Sequence, residues 1–147
     1  MTRPEKAIEF FNSGHNCAQS VLLAFEKDLI SDKELIIKIA SGFGGGMARM
    51  QETCGAITGS IMAIGLAAYD PAEDYPTSKE RVYSIISEFI QHFKDKYGST
   101  LCSELLNCNL STEEGNRLYE EMGLREKICV KCVRDSVEIL EKLIIKK

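Results

Sequence analysis

Apolar residues in this chain recur at three- and four-residue steps rather than alternating, most plainly between residues 79 and 97. There Val82, Ile85, Ile86, Phe89, Ile90, Phe93 and Tyr97 form one stripe, while Lys79, Glu80, Glu88, Lys94 and Asp95 lie off it. Thr77 and Glu80 supply a capping box at its start, and Gly98 suits the left-handed turn after its end. The same punctuation predicts a helix opened by Ser31 and Glu34 through Leu35, Ile36 and Ile39. It predicts another opened by Ser111 and Glu114 through Leu118 and Met122, closed by Gly123. An earlier helix from about Cys17 to Leu29 rests on Ala18, Val21, Leu22 and Phe25. A last one from about Cys129 to Ile145 rests on Val130, Val133, Val137, Leu140 and Ile144. No segment carries a convincing period of two, although the isoleucines of "ELIIKIA" imitate a strand locally.

Two stretches break this pattern. "SGFGGGMARM", residues 41 to 50, contains four glycines, which permit unusual backbone angles or close approach of other groups. It leads into residues 53 to 69, "TCGAITGSIMAIGLAAY", which carry no charge. That length is near the shortest membrane-spanning helix, roughly 17 residues. Thr53, Gly55, Thr58, Gly59, Ser60 and Gly65 keep its hydrophobicity low, so a helix buried on all sides, over residues 50 to 68, is expected instead of a span. "DPAEDYPTS", with Pro71 and Pro76, separates it from the amphipathic helix. There is no fixed-period repeat and no low-complexity linker. The expectation is one all-α domain over residues 1 to 147, a bundle of six to eight helices with the glycine-containing helix at its centre.

Composition narrows the function. The 147 residues are 44% hydrophobic and 27% charged, with 18 Lys plus Arg against 22 Asp plus Glu and a net charge of −4. No basic patch is concentrated along the chain, which argues against nucleic acid as a partner, because phosphate contacts dominate that binding. The start, "MTRPEKAIEF", lacks the apolar core of a signal peptide, and the expected location is cytoplasmic. In a reducing compartment six cysteines are not explained by structural disulfides; they ligate metal, carry redox chemistry, or pack as small hydrophobes.

Their positions favour chemistry. Cys17 follows "SGHN", with Ser13 and Asn16 as candidate caps; Cys102 follows Gly98 and Ser99; Cys129 opens the predicted last helix; Cys54 lies early in the uncharged one. A helix N-terminus carries unpaired N–H donors and partial positive charge, which favour thiolate over thiol. Cys129 and Cys132, in "CVKC", share a side of their helix within reach of a disulfide or a common metal, although Cys132 also fits a core face with Ser136, Ile139 and Leu143. His15 reads as a loop residue, His92 as the rim of its helix, and Met47, Met50 and Met62 as core filling. Gly55 and Gly59 form a notch at i, i+4.

With these blocks in view, "GHNCAQSVL", "SGFGGGMARMQETCGAITGSIMAIG", "STLCSELL" and "CVKCVRDSVEIL", the chain resembles the redox-active family named for its pattern C_GCAxxG_C_C. The resemblance runs over nearly the whole chain and implies four shared cysteines, here Cys17, Cys54, Cys102 and Cys129. The family's central motif reads Gly-Cys-Ala, whereas this chain has Cys54-Gly55-Ala56 followed by Gly59; Cys108 and Cys132 lie outside the pattern. The family is also similar to part of the split-Soret cytochromes, but no C-x-x-C-H attachment site is present, so no covalent haem is expected. The resemblance supplies no substrate and no electron partner.

The expected function is therefore a thiol redox protein, with Cys17, Cys54, Cys102 and Cys129 as a dithiol/disulfide system working with an unidentified redox partner. The alternative gives the same four cysteines to zinc or an iron–sulfur centre. Gly44, Gly45, Gly46, Gly55 and Gly59 are where a bound group would approach the backbone. A third reading is a non-catalytic helical interaction protein with structural cysteines. Each is compatible with a homodimer.

Overall fold

The computed structural model describes residues 1–145, and their architecture is all-α in a single domain. Nine α-helices appear among these residues, more than the sequence suggests because two are fragments of four and five residues. They are α1 (Arg3–Asn12), α2 (Cys17–Ala24), α3 (Glu26–Leu29), α4 (Lys33–Ile39), α5 (Gly55–Ala68), α6 (Tyr75–Tyr97), α7 (Cys102–Leu106), α8 (Glu113–Glu121) and α9 (Val130–Ile144). One π-helical turn, Arg125–Cys129, runs into α9. The only extended pairing among the described residues is a single antiparallel bridge between Thr53 and Leu101.

Most boundaries move by a residue or two, for local reasons. The cap of α6 is Asp74, whose carboxylate accepts the Thr77 N–H at 3.0 Å, so the helix starts before the expected Thr77–Glu80 box. Asp32 and Thr112, not Ser31 and Ser111, cap α4 and α8. Gly98 and Gly123 take the left-handed backbone expected after their helices. The single helix expected from Cys17 to Leu29 breaks at Phe25, a fully buried side chain with φ −106° and ψ 9°. The central helix begins at Gly55 rather than residue 50, because Gln51 has φ +57° and Cys54 has ψ 134°.

The core sits where α5 meets α2, α6 and α9. Its buried anchors include Phe25, Ile57, Ile64, Phe89, Phe93, Val133, Val137 and Leu140. The first half of α5, Gly55 to Ser60, is buried all round, and the Thr58 and Ser60 hydroxyls are satisfied by the Gly55 and Ala56 carbonyls of their own helix. Among the described residues no helix is long and apolar enough to cross a membrane.

Close packing of α2 on α5 is possible only because two side chains are missing. A Cβ at Gly59 would stand 2.6 Å from the Ala18 carbonyl oxygen, and one at Gly55 would stand 2.9 Å from the Cys17 Cβ. The notch expected at these glycines is real, and what fills it is the start of α2. Across the domain, the buried Asp135 carboxylate of α9 accepts the Tyr97 hydroxyl and pairs with Lys96 Nζ and Arg134 Nε, each at 3.0 Å. Burial opposes ionisation of Asp135, but these three partners outweigh it and hold the carboxyl below the usual range.

Three consequences can be measured by urea unfolding. Gly59→Ala is expected to cost about 1 to 3 kcal/mol, since Ala18 backbone cannot yield cheaply. Gly65→Ala, with open space around its added methyl group, is expected to gain roughly 0.5 to 1 kcal/mol. Because Asp135 is depressed in the fold, its stabilisation is present above the ordinary carboxylate range and is lost as pH falls through the folded value. Asp135→Asn should therefore lower the urea midpoint at neutral pH and flatten its fall on acidification.

Candidate thiol site

The segment between α4 and α5 builds one wall of the site. Gly45, Gly46, Met47, Ala48 and Arg49 all have positive φ, between +52° and +69°, and Gln51 follows at +57°. The glycine cluster permits the first two, but four non-glycine residues share the left-handed region, each at a cost of roughly 1 to 2 kcal/mol. Backbone bonds hold the turn: the N–H groups of Arg49, Gln51 and Glu52 donate to the carbonyls of Gly44, Gly45 and Gly46 at 3.0, 3.0 and 2.9 Å. Gln51, buried, braces it from outside, donating from Nε2 to the Cys108 carbonyl and accepting the Leu110 N–H on Oε1, both at 2.8 Å. The Cys54 N–H donates to the Thr100 carbonyl at 2.8 Å and the Cys102 N–H to the Glu52 carbonyl at 2.7 Å. This stitching sets Cys54 and Cys102 side by side on adjoining stretches of chain.

A cavity of about 150 Å³ lies beneath this wall, lined by Cys17, Cys54, Cys102, Cys129 and Cys132. Phe11, Leu105, Leu106, Leu110, Tyr119 and Ile128 make most of the rest of it apolar. The fold thus gathers the four cysteines singled out in the sequence, from positions 17 to 129, around one space. It adds Cys132 and leaves Cys108 outside. Gly45, Gly46 and Gly55 also border the cavity. Gly44 instead packs on the Asn16 side chain along an adjoining groove, and Gly59 packs on Ala18.

The five thiols stand as two facing pairs and one single. Cys17 lies within side-chain hydrogen-bonding reach of Cys129, and Cys54 within reach of Cys132. Cys102 has no thiol partner and packs against Gly46. Among the described residues, no group of three or more His, Cys, Asp or Glu side chains is arranged to hold a metal ion. A zinc or iron–sulfur centre needs three or four such donors on one point, and this donor set converges two by two.

Helix N-termini explain less of the thiol electrostatics than the sequence implies. Cys17 is the first residue of α2, behind a capping box formed by Asn16 and Gln19. The hydrogen bond it donates to Cys129, together with burial, nevertheless pushes its thiol well up. Cys102 begins the five-residue α7, and burial pushes it up to about 12. Cys129 stands at the N-cap of α9 as expected, but the π turn from Arg125 runs through it into that helix, so no free helix N-terminus faces its thiol. Its thiol is nonetheless pulled down to about 7, first by the hydrogen bond from Cys17, then by the Tyr119 hydroxyl 3.6 Å from Sγ and the Arg125 charge, against burial. Cys54 is the one case that fits the helix-terminus argument. It stands at the N-cap position of α5, without a side-chain capping hydrogen bond, and its thiol is held below the ordinary value first by Cys132 and then by the nearby N–H groups of Ala56 and Ile57. The bond to Cys54 and burial raise Cys132 in turn.

The family model described as "Putative redox-active protein (C_GCAxxG_C_C)" matches residues 15–143. The chain belongs to this family. An "Uncharacterized protein" from Archaeoglobus fulgidus is 30% identical over 144 residues, spanning 88% of this chain and 92% of its own. No solved structure matches. The family description supports a redox role in general, and the residues around the cavity are the candidates for it.

Several of those residues carry no flag in the sequence. Tyr119 sits on an exposed amphipathic helix, and Arg125 is one charge among many; only folding puts the guanidinium 4.2 Å from the centre of the Phe11 ring and donating to the Phe11 carbonyl at 2.9 Å. Gln51 could have been suspected from its place beside Cys54, though not its role. His15 is held in its loop near the Phe10 carbonyl, 3.1 Å from Nδ1, and does not line the cavity.

Alkylation by iodoacetamide, followed residue by residue with mass spectrometry, is expected to single out Cys129, with an inflection at about pH 7. Tyr119→Phe should move that inflection upward and slow labelling at neutral pH several-fold, because a donor to the thiolate is lost. An unshifted inflection would show that Tyr119 does not stabilise the thiolate.

Proposed function

We propose that the protein is a thiol–disulfide oxidoreductase or electron carrier in which Cys129 is the attacking thiolate and Cys17 the partner that completes the disulfide. The observation that carries this reading is the Cys17–Cys129 contact in the lining of the cavity, with the low-pKa member supported by Tyr119 and Arg125. A thiolate with a pKa near ambient pH combines a large ionised fraction with retained nucleophilicity.

The step follows from that pairing. The Cys129 thiolate attacks one sulfur of a small disulfide; its S–S bond breaks and the departing thiolate takes up a proton. Cys17 then gives up its proton and attacks Cys129 Sγ, expelling the second thiol. The substrate disulfide has gained two electrons and two protons, and the protein holds a Cys17–Cys129 disulfide. The size of the cavity, about 150 Å³, and its mostly apolar wall favour a small, uncharged substrate. The protonated Cys102 contributes wall rather than nucleophile in this scheme.

The test is rapid-quench peptide mapping of the anaerobically reduced chain exposed to 2-hydroxyethyl disulfide. The first intramolecular disulfide is expected to join Cys17 to Cys129, and Cys129→Ser should slow reagent consumption by more than about tenfold, since only the thiolate attacks. Cys108→Ser, outside the cavity, should leave the rate unchanged. Iron or zinc held by thiolates in the isolated protein, or thiols that never oxidise in pairs, would overturn the reading.

A further inference from the structure

The Cys17–Cys129 reading leaves two cavity thiols unused, and they face each other. Cys132 follows Cys129 by three residues, so the two sulfurs leave the same side of the helical backbone running from the π turn into α9. Opposite them, the Gly55 notch brings the start of α2 against the start of α5, placing Cys17 beside Cys54. Two rows of two result: Cys129 and Cys132 on one helix, Cys17 and Cys54 on two helix starts locked together. Each "CVKC" cysteine meets a partner across the cavity rather than its neighbour in sequence.

We propose that Cys54 and Cys132 form a second dithiol/disulfide couple, which takes the oxidising equivalent from Cys17–Cys129 through a transient Cys54–Cys129 disulfide. The proposal rests on the Cys17–Cys129 reading and extends it to the thiols that the family pattern does not pair. Cys132 is 1% exposed and Cys54 8%, so neither is open to a large oxidant directly. Cys129 borders the same cavity and is more exposed, which makes it their route to the outside.

The exchange balances without an external reagent. Cys54, as thiolate, attacks Cys129 Sγ of the Cys17–Cys129 disulfide, and the Cys17 sulfur leaves and takes up a proton. Cys132 gives up its proton and attacks Cys54 Sγ, releasing the Cys129 thiolate. One disulfide is lost and one formed. The direction is favoured at both ends, because Cys132 and the N–H groups at the start of α5 lower the Cys54 thiol, and Cys129 leaves onto the Tyr119 hydroxyl. After this transfer Cys17 and Cys129 are dithiol again, so a second substrate disulfide can be reduced; in all the chain gives up four electrons and ends with two disulfides.

Full-length reduced protein, treated with excess 2-hydroxyethyl disulfide, quenched and mapped, tests this. Wild type is expected to lose four thiols and yield Cys17–Cys129 and Cys54–Cys132. Cys54→Ser, in which serine remains a good cap for α5, should stop at two thiols with Cys17–Cys129 alone. Cys132→Ala should accumulate the Cys54–Cys129 disulfide, and Cys132→Ser provides the same readout if alanine folds poorly. If Cys54→Ser forms no Cys17–Cys129 disulfide, the underlying reading fails. If that disulfide forms in Cys54→Ser and in wild type, while Cys54 and Cys132 of wild type remain free under excess reagent, the second couple fails alone.

Discussion

The contact on which the rest of the site depends is the approach of α2 to α5 at backbone distance. Gly59 receives the Ala18 carbonyl and Gly55 receives Cys17. Any side chain at these positions would push the helices apart and draw Cys17 away from the cavity it lines with Cys54. Once the two helix starts are locked, α9 packs over both, and the thiols at positions 129 and 132 meet those at 17 and 54. The arrangement of Cys17, Cys129 and Cys132 is thus a consequence of helix packing.

The wall above the cavity is built differently, and at an energetic cost. A run of positive-φ residues from Gly45 to Arg49, closed by Gln51, cannot be explained as an easy path for the backbone. It persists because Gln51 and the backbone ties of Glu52, Cys54 and Cys102 hold it to the 100–110 region. Strain of this kind, kept beside a cluster of thiols, places Cys54 and Cys102 on the cavity more firmly than a mobile loop would.

Within the cavity, electrostatic asymmetry matters more than cysteine count. Each pair has one sulfur with lowering groups nearby and one without: Cys129 has Tyr119 and Arg125, Cys54 lies near the first N–H groups of α5, whereas Cys17 and Cys132 are the hydrogen-bond donors of their pairs. Burial raises the pKa of every one of these thiols, so it is the donors that differentiate them.

What could be read from the amino-acid order is what depends on near neighbours along the chain. Three- and four-residue periodicity identified helices such as α6 and α9, the missing charges identified α5 as buried, and the spacing of Gly55 and Gly59 identified the notch. Cap residues were legible to within a residue or two, since Asp74, Asp32 and Thr112 compete with adjacent side chains of similar capping ability. The choice of partners was not legible. Cys129 and Cys132 are close in sequence, yet each meets a thiol distant in the chain; Tyr119 and Arg125 look like surface residues until α8 and the π turn are folded against Cys129 and Phe11. Hydrophobic period and chain punctuation report the local backbone, whereas thiol pairing and thiolate stability depend on distances across helices, which only the packed tertiary structure decides.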